Sequence, residues 1–119
     1  MNIRSEELAD NVTIIRLIGR MDSIGGHEVN ARLAALIATV KRFVVIDLSE
    51  VSFLASIGIR TLIVNARAQS LRGGMVALAN PQPMVGEVLT MAGIDTIIPL
   101  YADVYTAHSA LLERSRNRA

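Results

Sequence analysis

The sequence predicts a single α/β domain built on a mostly parallel mixed sheet, entered through an antiparallel hairpin and packed with about four helices. Three observations lead there. Apolar runs rich in β-branched residues recur at 12–19 (VTIIRLIG), 43–48 (FVVIDL), 75–80 (MVALAN) and 96–101 (TIIPLY). Stretches of helical period separate them, and alternation of the two periods is the pattern of an α/β fold. FVVIDL is a continuous apolar run, as expected of an interior parallel strand with both faces covered. At 119 residues the chain can bury one core but not two, so residues 1–119 are read as one domain.

The elements follow in order. VTIIRLIG is apolar on both alternating faces and reads as a central strand. Ala9-Asp10-Asn11 before it is a hairpin turn, which makes the segment around Ile3 a short edge strand. GRMDSIGG, residues 19–26, reads as a loop by its glycines and its Asp-Ser pair. From Glu28 the period changes: Val29, Leu33, Leu36, Ile37 and Val40 form one stripe of an amphipathic helix. After FVVIDL, the residues Ile59, Leu62, Ile63 and Ala66 mark a helix over about 56–71, stopped by Gly73-Gly74. MVALAN is a strand ended by Pro81 and Pro83. Met84, Val88 and Met91 give a short helix before Gly93, and TIIPLY is the last strand, at an edge because of Pro99. Asp103 caps a final helix with the stripe Val104, Ala107, Leu111 and a basic tail where the helix dipole favours cations.

Composition removes several classes of function. Without cysteine there is no disulfide, thiolate catalysis or cysteine-based zinc site. A net charge of +1 and four scattered aromatics, Phe43, Phe53, Tyr101 and Tyr105, argue against nucleic acid as a partner. The longest nearly apolar run, residues 33–40, falls far short of the ~20 residues that cross a bilayer. The polar start MNIRSEELAD has no signal-peptide character, so no membrane insertion and a cytoplasmic location are expected. GxxxxGK[ST], GxGxxG and HExxH are absent. His27 and His108 stand apart from any carboxylate-rich set, and Asp47 with Glu50 read as a strand-end acid and a turn acid. No enzyme, cofactor or metal is expected. The glycines of residues 19–26 could cradle an anion, but turn and cap roles account for them.

Ser56 is the residue on which function is expected to turn. It stands at a strand-to-helix junction, outside the carboxyl end of a parallel strand, where open α/β sheets place functional loops. Helix capping, worth ~1 kcal/mol, is the plainer role for such a serine. A phosphate there would carry about −1.5 to −2 charge and meet the positive end of the helix, making a surface switch.

The order of elements, with LIGRMDS, VVIDLSEVSFLASIGIRTL, GGMVALANPQP and MAGIDTIIPLYADVYTAHSAL, resembles the STAS domain of bacterial anti-sigma factor antagonists across nearly the whole chain. That family commonly carries Asp-Ser-Ser/Thr-Gly after its third strand, the first Ser being phosphorylated by a serine kinase that doubles as the anti-sigma factor. Ser56 and Gly58 match the acceptor and the glycine; Ala55 stands where Asp is usual and Ile57 where a second hydroxyl is usual. The family's Gly-x-x-Asp loop matches Gly19 and Asp22, placed by the resemblance beside the acceptor, with Ser23 following. The resemblance implies a partner-switching regulator of transcription. Unphosphorylated, it docks on the serine kinase/anti-sigma factor through Gly19, Asp22, Ser23, Ala55, Ser56, Ile57 and Gly58. Phosphorylation of Ser56 releases it, and a PP2C-type phosphatase resets it. The alternative is an unphosphorylated STAS adaptor in a larger assembly, such as a lipid-transport ATPase or a sulfate-transporter tail, which Ala55 and Ile57 favour. A small enzyme or nucleotide-binding protein ranks last, because no nucleophile-base pair or phosphate loop is visible.

Overall fold

The computed structural model describes residues 1–7, 10–37 and 40–117. Along them run β1 (Asn2–Glu7), β2 (Val12–Met21), α1 (Ser23–Ile37), β3 (Phe43–Leu54), α2 (Ser56–Leu71) and β4 (Met75–Ala79). The chain continues through α3 (Pro83–Met91), a 3-10 turn (Ile94–Thr96), β5 (Leu100–Tyr101) and α4 (Val104–Asn117). The five strands form one sheet in the order β1-β2-β3-β4-β5. β1 pairs antiparallel with β2 and every other neighbour is parallel, the mixed sheet expected from the sequence. Of the residues read as the hairpin turn, Ala9 lies outside the described residues. Asn11 takes a left-handed φ of 70°, which asparagine tolerates, and the Asp10 carboxylate accepts the Val12 N–H at 3.2 Å.

Alternation along β3 divides the core in two. Val44, Ile46 and Leu48 face α1, α2 and α3, packing with Leu33, Ile37, Leu62 and Leu89, while Phe43 and Val45 pack with Ala107 and Leu111 of α4. Both faces are therefore covered, and no residue of the first half of β3 needs to be polar for solvent. Asp47 is the exception. It is buried, accepts the Arg16 Nε–H at 2.9 Å on one carboxylate oxygen and the Ser49 N–H at 2.9 Å on the other. A buried carboxylate held by a guanidinium and a backbone amide is a structural pair.

A second buried polar group ties α2 to the chain entering β3. Gln69 is fully buried; its amide nitrogen donates to the Ile37 and Val40 carbonyls, and its oxygen accepts the Arg42 N–H at 2.7 Å. These backbone groups belong to the end of α1 and to the connection that follows it, where neither helix nor ladder satisfies them.

Four boundaries differ from the sequence reading. Residues 19–26 are not a loop: β2 runs on to Met21 and α1 starts at Ser23, five residues before Glu28. The glycines there serve close packing, since a Cβ on Gly25 would stand 2.0 Å from the Arg20 carbonyl oxygen. β3 does not stop at Leu48 but continues to Leu54, pairing beyond Asp47 with β2 alone through two register shifts. Asp47 and Glu50 thus lie inside a strand, not at a strand end and a turn. The last strand shrinks from residues 96–101 to Leu100–Tyr101, because Thr96, Ile97 and Ile98 donate their N–H groups back to Gly93 and Ile94 in a tight turn and Pro99 has none to give. Val40, placed on the α1 stripe, lies beyond the helix and is exposed.

Candidate functional site

The extension of β2 and β3 past β4 carries two strand-to-helix junctions to one edge of the molecule. Met21 pairs with Leu54, the Ala55 N–H donates to the Met21 carbonyl at 3.0 Å, and α1 and α2 begin side by side. The contact is tight because glycines line it. A Cβ on Gly58 would lie 2.7 Å from Leu54 Cδ1, 2.8 Å from Met21 Cγ and 3.1 Å from the Met21 carbonyl oxygen. Gly26 faces Ile57 in the same way, at 3.1 Å.

The two junctions start their helices differently. Asp22 is the cap of α1: its carboxylate accepts the Gly25 N–H at 2.8 Å and its carbonyl accepts the Gly26 N–H at 2.7 Å. The Gly25 amide, helped by the Arg20 guanidinium 3.7 Å away, holds the Asp22 carboxyl below its ordinary value. Arg20 in turn lies over the Phe53 ring at 4.4 Å. At α2 the cap position belongs to Ala55, extended at φ −96° and ψ 173°, with no side chain to offer. Ser56 is the first helical residue. It is exposed, and its hydroxyl has no intramolecular partner among the described residues. The capping role weighed for Ser56 is therefore not the one it plays.

Of the residues singled out from the sequence, Asp22, Ser23, Ala55, Ser56, Ile57 and Gly58 come together at this edge. Gly19 does not reach it; it sits within β2 opposite Val51, at φ +120°, beside a register shift. Gly58 is buried and acts through packing. Sequence reasoning missed Ile24, a large apolar side chain 72% exposed on the first turn of α1. It was hidden by reading residues 19–26 as loop. A surface cavity of about 700 Å³ opens elsewhere, between Asp10, Lys41, Arg42, Phe43 and Arg116, and does not border Ser56. Among the described residues no cluster of three or more His, Cys, Asp or Glu could hold a metal, and no helix is long and apolar enough to cross a membrane.

A family model described as the STAS domain matches residues 5–107. The chain belongs to the STAS domain family. Within it, the chain is 30% identical over 91 residues to BtrV of Bordetella bronchiseptica, a protein named as a candidate anti-sigma factor antagonist, covering 76% of this chain and 78% of that one. The crystal structure of an anti-sigma factor antagonist from Mycobacterium paratuberculosis superposes with a TM-score of 0.80 at 25% identity, over 92% of this STAS chain and 94% of the other. SpoIIAA, an anti-sigma factor antagonist, shares the fold in its unphosphorylated form, with a TM-score of 0.72, 22% identity and coverage of 98% and 97%. Its phosphorylated form, from Bacillus, gives 0.67 at 21% identity, with coverage of 92% and 98%.

Proposed function

We propose that this STAS domain is an anti-sigma factor antagonist that works by partner switching, with Ser56 as the phosphoacceptor. The unphosphorylated protein docks the edge formed by the two junctions on a serine kinase that doubles as an anti-sigma factor, and a phosphate on Ser56 ends the docking. A PP2C-type phosphatase restores the docking form. The observation that carries the reading is the state of Ser56: exposed, first in its helix, and with a hydroxyl that has no intramolecular partner among the described residues. A hydroxyl with no structural duty can be modified without disturbing the fold. The positive end of the α2 dipole favours an added anion on the first helical residue, so the modified form stays folded. Two features support docking at this edge: the exposed Ile24 supplies an apolar anchor, and Asp22 with Arg20 supplies a charged rim. The likeness to anti-sigma factor antagonists, one of them solved with and without phosphate, supports the same reading.

The test is phosphopeptide mapping after incubation with ATP and each anti-sigma-type serine kinase encoded in the same genome, each purified. Phosphate on Ser56 is the expected result. Absence of phosphate on Ser56 with every kinase, together with equal docking of wild type and Ser56→Asp, would move the reading to an unphosphorylated adaptor.

A further inference from the structure

The two junctions carry the same three residues in the same helical position. Ser23-Ile24-Gly25 opens α1 and Ser56-Ile57-Gly58 opens α2, each serine the first helical residue after one of the two parallel neighbours β2 and β3. Both serines are exposed, and neither hydroxyl has an intramolecular partner among the described residues. The cap of α1 is already made by Asp22, which leaves the Ser23 hydroxyl without a structural task. The two turns are neighbours, joined by the bond from the Ala55 N–H to the Met21 carbonyl and by the packing of Gly26 on Ile57.

We propose that Ser23 is a second phosphoacceptor, modified by the same kinase that acts on Ser56. The inference rests on the reading of Ser56 given above. A kinase cleft that accepts Ser-Ile-Gly in the first turn of a helix meets the same three residues in the first turn of the neighbouring helix, where Asp22 replaces Ala55 before the serine and Ile24 is the more exposed isoleucine. The donor is ATP. The bond between its γ-phosphorus and the ADP oxygen breaks, a bond from Ser23 Oγ to that phosphorus forms, and the hydroxyl proton passes to the kinase's general base. A phosphate on Ser23 would follow Asp22, whose carboxylate already lies 3.7 Å from the Arg20 guanidinium, so the new charge would share that cation with Asp22. Each phosphate adds about −1.5 to −2 charge to one edge, so the doubly modified protein carries roughly twice the repulsion of the singly modified one. The switch then has three settings.

Trypsin separates the two sites cleanly. The peptide of residues 21–32 has Ser23 as its only hydroxyl, and the peptide of residues 43–60 contains Ser56 with Ser49 and Ser52, which fragment-ion masses tell apart. The experiment incubates wild type, Ser23→Ala and Ser56→Ala with ATP and each anti-sigma-type serine kinase of the genome, then maps the phosphate by mass. Wild type is expected to gain phosphate on both peptides, Ser56→Ala on 21–32 alone, and Ser23→Ala on 43–60 alone. Phosphate on Ser56 in wild type, with 21–32 unmodified both in wild type and in Ser56→Ala, overturns the second acceptor and leaves the Ser56 reading standing. Phosphate on 21–32 alone in wild type supports Ser23 and removes Ser56. No phosphate on either peptide overturns both. Because wild type carries both readouts, the result does not depend on any variant folding.

Discussion

Replacing Gly58 by alanine tests the packing that places the two junctions side by side. The new methyl would lie 2.7 Å from Leu54 Cδ1, 2.8 Å from Met21 Cγ and 3.1 Å from the Met21 carbonyl oxygen. Both side chains are buried, so neither can swing clear, and the carbonyl is held by the Ala55 N–H. Overpacking of this kind costs about 1–3 kcal/mol, and the better helix propensity of alanine returns roughly 0.5–1. Two contacts under 3 Å put the overpacking in the upper half of that range, so the net expectation is a loss of about 1–2.5 kcal/mol, or a fall in Tm of about 4–10 °C for a domain of this size. Gly26→Ala is the control: its methyl meets the half-buried side chain of Ile57 at 3.1 Å and the Gly58 nitrogen at an ordinary 3.7 Å, and should cost less than half as much. Urea unfolding of both variants followed by circular dichroism measures the difference. A Gly58→Ala protein as stable as wild type would refute the tight junction on which the site geometry depends.

Three further predictions follow from single residues. Ser56→Ala should change stability by less than about 0.5 kcal/mol, because the serine caps nothing; a loss near 1 kcal/mol in urea unfolding would restore it as a cap. Gln69→Leu should cost about 2–4 kcal/mol, since it strands the Arg42 N–H and the Ile37 and Val40 carbonyls in the interior; unfolding within 0.5 kcal/mol of wild type (~0.5 being the usual surface effect) would contradict the account. Asp22 gives a pH dependence: its carboxyl is held below the ordinary 3.8, first by the Gly25 amide, so the unfolded chain binds its proton more readily. Its contribution is fully present above the unfolded value and lost as pH falls through the folded value, so Tm of Asp22→Asn should fall less steeply than wild type on acidification toward about pH 3, and parallel curves would exclude the effect.

What was legible in the sequence was what periodicity encodes. β3 through Leu48 and the whole of α2 follow from a continuous apolar run and a helical stripe, and both have the bounds or core expected of them. Glycine was the main source of error. In residues 19–26 it reads as a loop by propensity, yet Gly25 and Gly26 lie inside α1 because the Arg20 carbonyl and Ile57 press against its first turn. That is a tertiary demand which local preference cannot reveal. The same misreading hid Ile24 and the match between Ser23-Ile24-Gly25 and Ser56-Ile57-Gly58. The polar residues of SEVSFL disguised the second half of β3, where Val51 and Leu54 are buried and Glu50 and Ser52 are exposed. Ser56 was placed correctly at the junction, but only coordinates distinguish the first helical residue from the cap one position earlier.

The central claim is that charge on Ser56 controls docking, and one binding measurement addresses it. The protein is made in two forms, with serine or with phosphoserine installed at position 56, and titrated calorimetrically against the serine kinase that modifies it. A desolvated charge placed against a partner costs several kcal/mol, so the phosphorylated form should bind at least ~100-fold more weakly than the unmodified one. Equal affinities for the two forms would contradict the account.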